Sequence, residues 1–112
     1  MAEIDTASDA EIFVFYGAAS KACVATFSSL KKAQEWIKQH SLSGLVIKFT
    51  MDRPGFDLRL AAGSLPKYLD ENDPHARESF VDNSFHWHYF YGVSDDEPGF
   101  GDAAERWNRK NA

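Results

Sequence analysis

The chain has 112 residues, 44% of them hydrophobic and 26% charged, which bounds it to one domain of ordinary globular composition with enough chain for a core of its own. Its formal net charge of −5 argues against nucleic-acid binding, which draws most of its affinity from basic residues set against phosphate. A single cysteine, Cys23, excludes an intramolecular disulfide, and no run approaches the roughly 20 apolar residues of a membrane span.

Residues 1–10 are polar and acidic and read as a flexible segment ahead of one folded domain over 11–112. They hold no apolar run of signal-peptide length, so a cytoplasmic location is expected. Residues 11–17 (EIFVFYG) read as a strand, with an apolar run from Ile12 to Tyr16 suited to burial on both faces. After a turn over 17–21, residues 22–27 form a second strand, close enough for an antiparallel hairpin. Ser28 or Ser29 then caps a helix. Leu30, Ala33 and Ile37 make its apolar stripe, Trp36 lies beside it, and Gly44 stands as the stop.

Residues 44–51 (GLVIKFTM) read as a third strand with one buried and one partly exposed face. Arg53-Pro54-Gly55 breaks the chain, and 56–62 (FDLRLAA) reads as either a short helix or a strand, its Leu and Ala content and the stop at Gly63 favouring the helix. Asp73-Pro74 matches an N-cap followed by proline at the first helical position, opening a helix to about Val81. Residues 84–92 (SFHWHYFYG) form the last strand, followed by an acidic loop. Asp102 with Glu105 resembles a capping box for a helix over 102–110, docked through Trp107. The sum is an α+β fold: a small antiparallel or mixed sheet on one main helix, with short accessory helices.

The chemistry-bearing candidates are few. Alternation puts His86, His88 and Phe90 on one strand face and Phe85, Trp87, Tyr89 and Tyr91 on the other. Two histidines on one face are workable metal ligands, but a third is needed, and neither His40 nor His75 stands at a diagnostic spacing. No cofactor or metal is therefore expected. Cys23 reads as a small packing residue rather than a nucleophile. Pro98-Gly99-Phe100-Gly101 sits among Asp95, Asp96, Glu97 and Asp102, whose charge would repel phosphate. No pair of carboxylates is singled out for acid–base work, so no enzyme activity is expected.

The acids themselves are concentrated. Asp70, Glu71, Asp73, Glu78 and Asp82 fall within 13 positions against one base, Arg77; Asp95, Asp96, Glu97, Asp102 and Glu105 follow with none among them. Such runs are solvated surface or a face for a basic partner.

FVFYG at 13–17, TFSSLKKAQEWIKQHSLSG at 26–44 and HWHYFYG at 86–92 resemble, in that order, a small bacterial family of immunity proteins from polymorphic toxin and contact-dependent inhibition systems. Ala33, Trp36 and Ile37 followed by Leu42-Ser43-Gly44 carry most of the likeness. The resemblance implies an inhibitor that binds a cognate toxin one to one, as a monomer, and needs no cofactor. Combined with the charge, it implies a basic, RNase-type nuclease toxin. Asp70, Glu71, Asp73, Glu78, Asp82, Asp95, Asp96, Glu97, His86 and His88 are then the candidate contact residues. The competing readings are another protein- or small-ligand-binding module and a metal-dependent enzyme built on His86 and His88.

Overall fold

The computed structural model describes residues 10–82 and 84–111. The acidic segment read as flexible lies, but for Ala10, outside the described residues. Five strands form one sheet in the order β2-β1-β3-β4-β5: β1 (Glu11–Gly17), β2 (Cys23–Phe27), β3 (Gly44–Thr50), β4 (His86–Phe90) and β5 (Val93–Ser94). Four helices accompany them among the described residues: α1 (Leu30–Gln39), α2 (Gly55–Ala61), α3 (Pro74–Ser79) and α4 (Phe100–Asn111). The fold is α+β. The chain groups into two compact units, a sheet unit (Ile12–Lys48 and Phe85 onward) and a second unit containing Phe49–Ser84.

In the sheet unit β1 pairs antiparallel with β2, and β4 with both β3 and β5. Ala18 N donates to Ser43 O at one end of the β1–β3 pair and Met51 N to Ala10 O at the other, so that pair is antiparallel too. β2 and β3 therefore run parallel on either side of β1, and β2–α1–β3 is a crossover unit. Ser29 is the cap of α1, its Oγ accepting from Lys32 N at 3.2 Å.

The stop of α1 is not Gly44. The helix ends at Gln39, and Ser41 takes the left-handed conformation (φ 53°). Leu42 N donates to Ile37 O and Ser41 N to Lys38 O, the pattern of a Schellman motif with serine where glycine is usual. Gly44 instead opens β3 where the backbones crowd: a Cβ there would lie 2.2 Å from Tyr16 O.

The core is the expected α1 stripe pressed on one sheet face. Ala33, Ile37 and Val46 are fully buried, Phe13, Phe15 and Tyr89 nearly so, and Phe27, Leu30, Trp36, Leu42 and Trp87 pack around them. Trp36 meets the rings of Phe15 and Phe27, and Trp87 that of Phe13. Both faces are buried mid-sheet: Phe13, Val14 and Phe15 run buried in sequence, and Val46 and Ile47 likewise, where one partly exposed face was expected for β3. On the second face α4 packs Phe100 and Trp107 against Phe90, so Trp107 docks its helix as anticipated.

Tyr89 is 1% exposed, and among the described residues no hydrogen bond of acceptable geometry reaches its hydroxyl. Burial pushes its ionisation up to about 12; Asp96, Asp95 and Glu97 add to the rise, and the Gln34 side chain opposes it.

In the second unit α2 confirms the helical assignment of 56–62, with Gly63 (φ 71°) just beyond it. Asp73 caps α3 through His75 N and Pro74 is its first residue, but the helix stops at Ser79 rather than near Val81. Phe56 is buried, meets Phe80 edge-on, and carries the Arg77 guanidinium 4.4 Å over its ring. No described helix is long and apolar enough to cross a membrane.

Candidate functional site

β4 settles which face of SFHWHYFYG is covered. Trp87 and Tyr89 turn toward α1, while His86 and His88 are exposed on the opposite face with ring centroids 5.0 Å apart. Phe85 precedes the strand and is 59% exposed, with the Lys48 ammonium 4.1 Å from its ring centroid. Tyr91 does not continue the ring layer. It sits with Gly92 in a two-residue turn, both at positive φ (50° and 83°), that leads into β5. Among the described residues no group of three or more His, Cys, Asp or Glu is placed to hold a metal ion. Cys23 is exposed at the start of β2, not packed as expected; its neighbour Val24, on the other face, is exposed too, so neither face is covered at that end of the strand.

The acids after β5 form a braced turn. Asp95 Oδ2 accepts from His88 N at 3.1 Å, and Asp95 N donates to His88 O. Asp96 Oδ1 accepts from the Oγ of fully buried Ser94. Glu97 Oε1 accepts from Ser94 N at 2.8 Å and is ion-paired with Lys38 Nζ at the end of α1. Lys38 first, and the Ser94 amide next, hold the Glu97 carboxyl below its ordinary range. Asp102 is not the cap of α4. That helix opens at Phe100, two residues earlier, and Ala103 N donates to Gly99 O.

The acids of 70–82 lie in the second unit. Asp70 Oδ1 accepts from Asn72 N, and Asp73 caps α3. Asp82 Oδ1 accepts from Ser84 N and Oγ and lies 3.5 Å from the Arg59 guanidinium. Glu71 O accepts from Arg77, and Glu78 is exposed on α3. Of the sequence-predicted contact residues, then, His86, His88, Asp95, Asp96 and Glu97 are brought together around β4–β5. The other five are in a different unit.

Sequence reasoning missed a third feature, a cleft of about 750 Å³ at one end of the sheet unit. Phe15, Val24, Trp36, Leu42, Tyr91 and Trp107 supply its apolar walls. They come from β1, β2, α1, the turns after α1 and β4, and α4, and no short motif spans such a set. A Tyr-Gly pair at a hairpin turn was the one local signal, and it marks only the Tyr91 corner.

A protein-family model, described as a domain of unknown function (DUF7710), matches residues 12–95. The chain belongs to the DUF7710 family. Searches of curated proteins and of solved structures returned no match. The DUF7710 match takes in β2–β5, α1–α3 and nearly all of β1, and ends before α4. Trp107, one wall of the cleft, thus stands outside the matched DUF7710 segment.

Proposed function

We propose that this DUF7710 protein is a cytoplasmic immunity protein that binds a cognate, basic, RNase-type toxin domain one to one and blocks it without chemistry of its own. The observation that carries this reading is the braced acidic turn. Asp95, Asp96 and Glu97 are fixed by bonds from His88, Ser94 and Lys38, beside the exposed His86 and His88. A charged surface already ordered loses little conformational freedom on binding, and its field steers a basic partner into encounter. Resemblance to immunity proteins along β1, α1 and β4 supports the same partner class.

The test is co-expression with the toxin domain encoded in the adjacent reading frame, followed by association kinetics. Protection from toxicity and an on-rate that falls with salt are expected. Combined reversal of Asp95, Asp96 and Glu97 should slow association about tenfold or more at low salt. A pair that neither binds nor protects would defeat the proposal.

A further inference from the structure

We infer that the cleft between α1, the β1–β2 turn and α4 is a binding site for a small, uncharged, planar aromatic compound. This inference is independent of the toxin reading. Its volume of about 750 Å³ is that of a small-molecule site. None of the described residues that line it is Asp, Glu, Lys or Arg, although 26% of the chain is charged. A charged ligand would give up hydration there without an Asp, Glu, Lys or Arg of the described lining to pair with. Trp36, Trp107 and Tyr91 are among the lining residues, an aromatic wall of the kind that takes a planar ring.

Polar groups at the rim give direction. Ser20, His40, Ser41 and Ser43 border the cleft. Ser43 Oγ already accepts from Tyr91 N at 2.9 Å and keeps its hydroxyl hydrogen and one further lone pair for a ligand.

The backbone fixes two corners of the cleft. Four non-glycine residues with positive φ occur among the described residues: Lys21, Ser41, Asp52 and Tyr91. Ser41 and Tyr91 line the cleft, the first closing α1 and the second in the β4–β5 turn, so both corners are held by local turn geometry. Tyr91 is held in place from two sides, by Ser43 and by the Arg106 guanidinium 4.0 Å from its ring centroid.

The test is an NMR titration of the full chain, ¹⁵N-labelled. Indole and 2-naphthol serve as neutral probes, naphthalene-2-sulfonate and benzamidine as charged controls. Saturable shifts are expected at the amides of Gly17, Ala18 and Ser43 and at the indole N–H of Trp36 and Trp107. Neutral probes should bind with Kd of roughly 0.1–1 mM, and charged ones about tenfold more weakly or worse. Ala19→Trp and, separately, Val24→Trp place a ring in the mouth from exposed positions. Each folded variant should lose neutral-probe binding by about tenfold, as expected where a side chain occupies the space the ligand needs. No saturable shift with either neutral probe, equal binding of charged and neutral probes, or unchanged binding in a folded variant would each overturn the inference. So would shifts at these amides that only a partner protein produces.

Discussion

Tyr89→Phe offers a direct test of the packing described for the sheet. The ring fills the core against α1, and among the described residues no group meets its buried hydroxyl in good hydrogen-bond geometry, the Gln34 side chain being near it. A buried, unsatisfied polar group costs about 1–3 kcal/mol, and its removal leaves only a small void. The variant should therefore be more stable than the parent by about 1–2 kcal/mol at pH 7. The pH dependence adds a second reading. In the folded state the phenol ionises near 12 rather than 10.0. A raised folded value favours the fold fully below pH 10, and the advantage is lost as pH climbs from 10 through 12. Two pH units correspond to about 2–3 kcal/mol. The phenylalanine variant cannot lose this term, so its lead over the parent should widen above pH 10. Other titrating groups are common to both proteins and cancel in the difference. Urea unfolding followed by tryptophan fluorescence reads the right unit, since Trp36, Trp87 and Trp107 all belong to it. A variant less stable than the parent by 1 kcal/mol or more would mean that the hydroxyl has a partner, with Gln34 the prime suspect. A constant difference from pH 9 to 11.5 would refute the suppressed ionisation.

Three further substitutions probe the backbone and the braced turn. Gly44→Ala should destabilise the sheet unit by about 3 kcal/mol or more, because its Cβ would meet Tyr16 O at 2.2 Å and the Phe15 ring at 2.8 Å; chemical denaturation checks this. Ser41→Gly should raise stability by about 0.5–1 kcal/mol by relieving the left-handed serine at the end of α1, read from the thermal midpoint. Glu97→Gln should cost about 0.5–1 kcal/mol at pH 7, since the Lys38 pair is partly exposed. That gap should close in acid. A depressed carboxyl stabilises above its unfolded value of about 4.5 and loses the advantage as pH falls through its folded value. Acid titrations of the two proteins that stay parallel would refute it.

Much of the architecture could be read from local pattern. The 3-and-4 spacing of Leu30, Ala33 and Ile37 placed α1, and the period-2 alternation of His86, Trp87, His88 and Tyr89 sorted them into two faces while leaving open which is buried. Asp73-Pro74 marked the start of α3 because cap and proline act within three residues. The misreadings came where a neighbour took over a role. Ser41 assumed the left-handed position that glycine favours, which left Gly44 free to serve close packing. The Phe100 start of α4 moved Asp102 into the helix. β5, two residues long, is too short to show a period. The cleft was invisible for a different reason: its walls are assembled from six separate stretches of chain, and only the folded sheet brings them together.

The connection between β3 and β4 bears on how the sheet forms. Lys48 N donates to Phe85 O at 3.0 Å, so the chain leaves the sheet unit and returns at hydrogen-bonded neighbours. Between them lie 36 residues, 49–84, where a tight hairpin would need two. Closing the longer loop costs about 2.5 kcal/mol more entropy. The β1–β2 and β4–β5 hairpins and α1 depend on contacts close in sequence, whereas the joining of β3 to β4 must await that closure. The β3–β4 junction thus closes the longest connection in the sheet, and shortening 49–84 is expected to speed refolding, read by stopped-flow fluorescence.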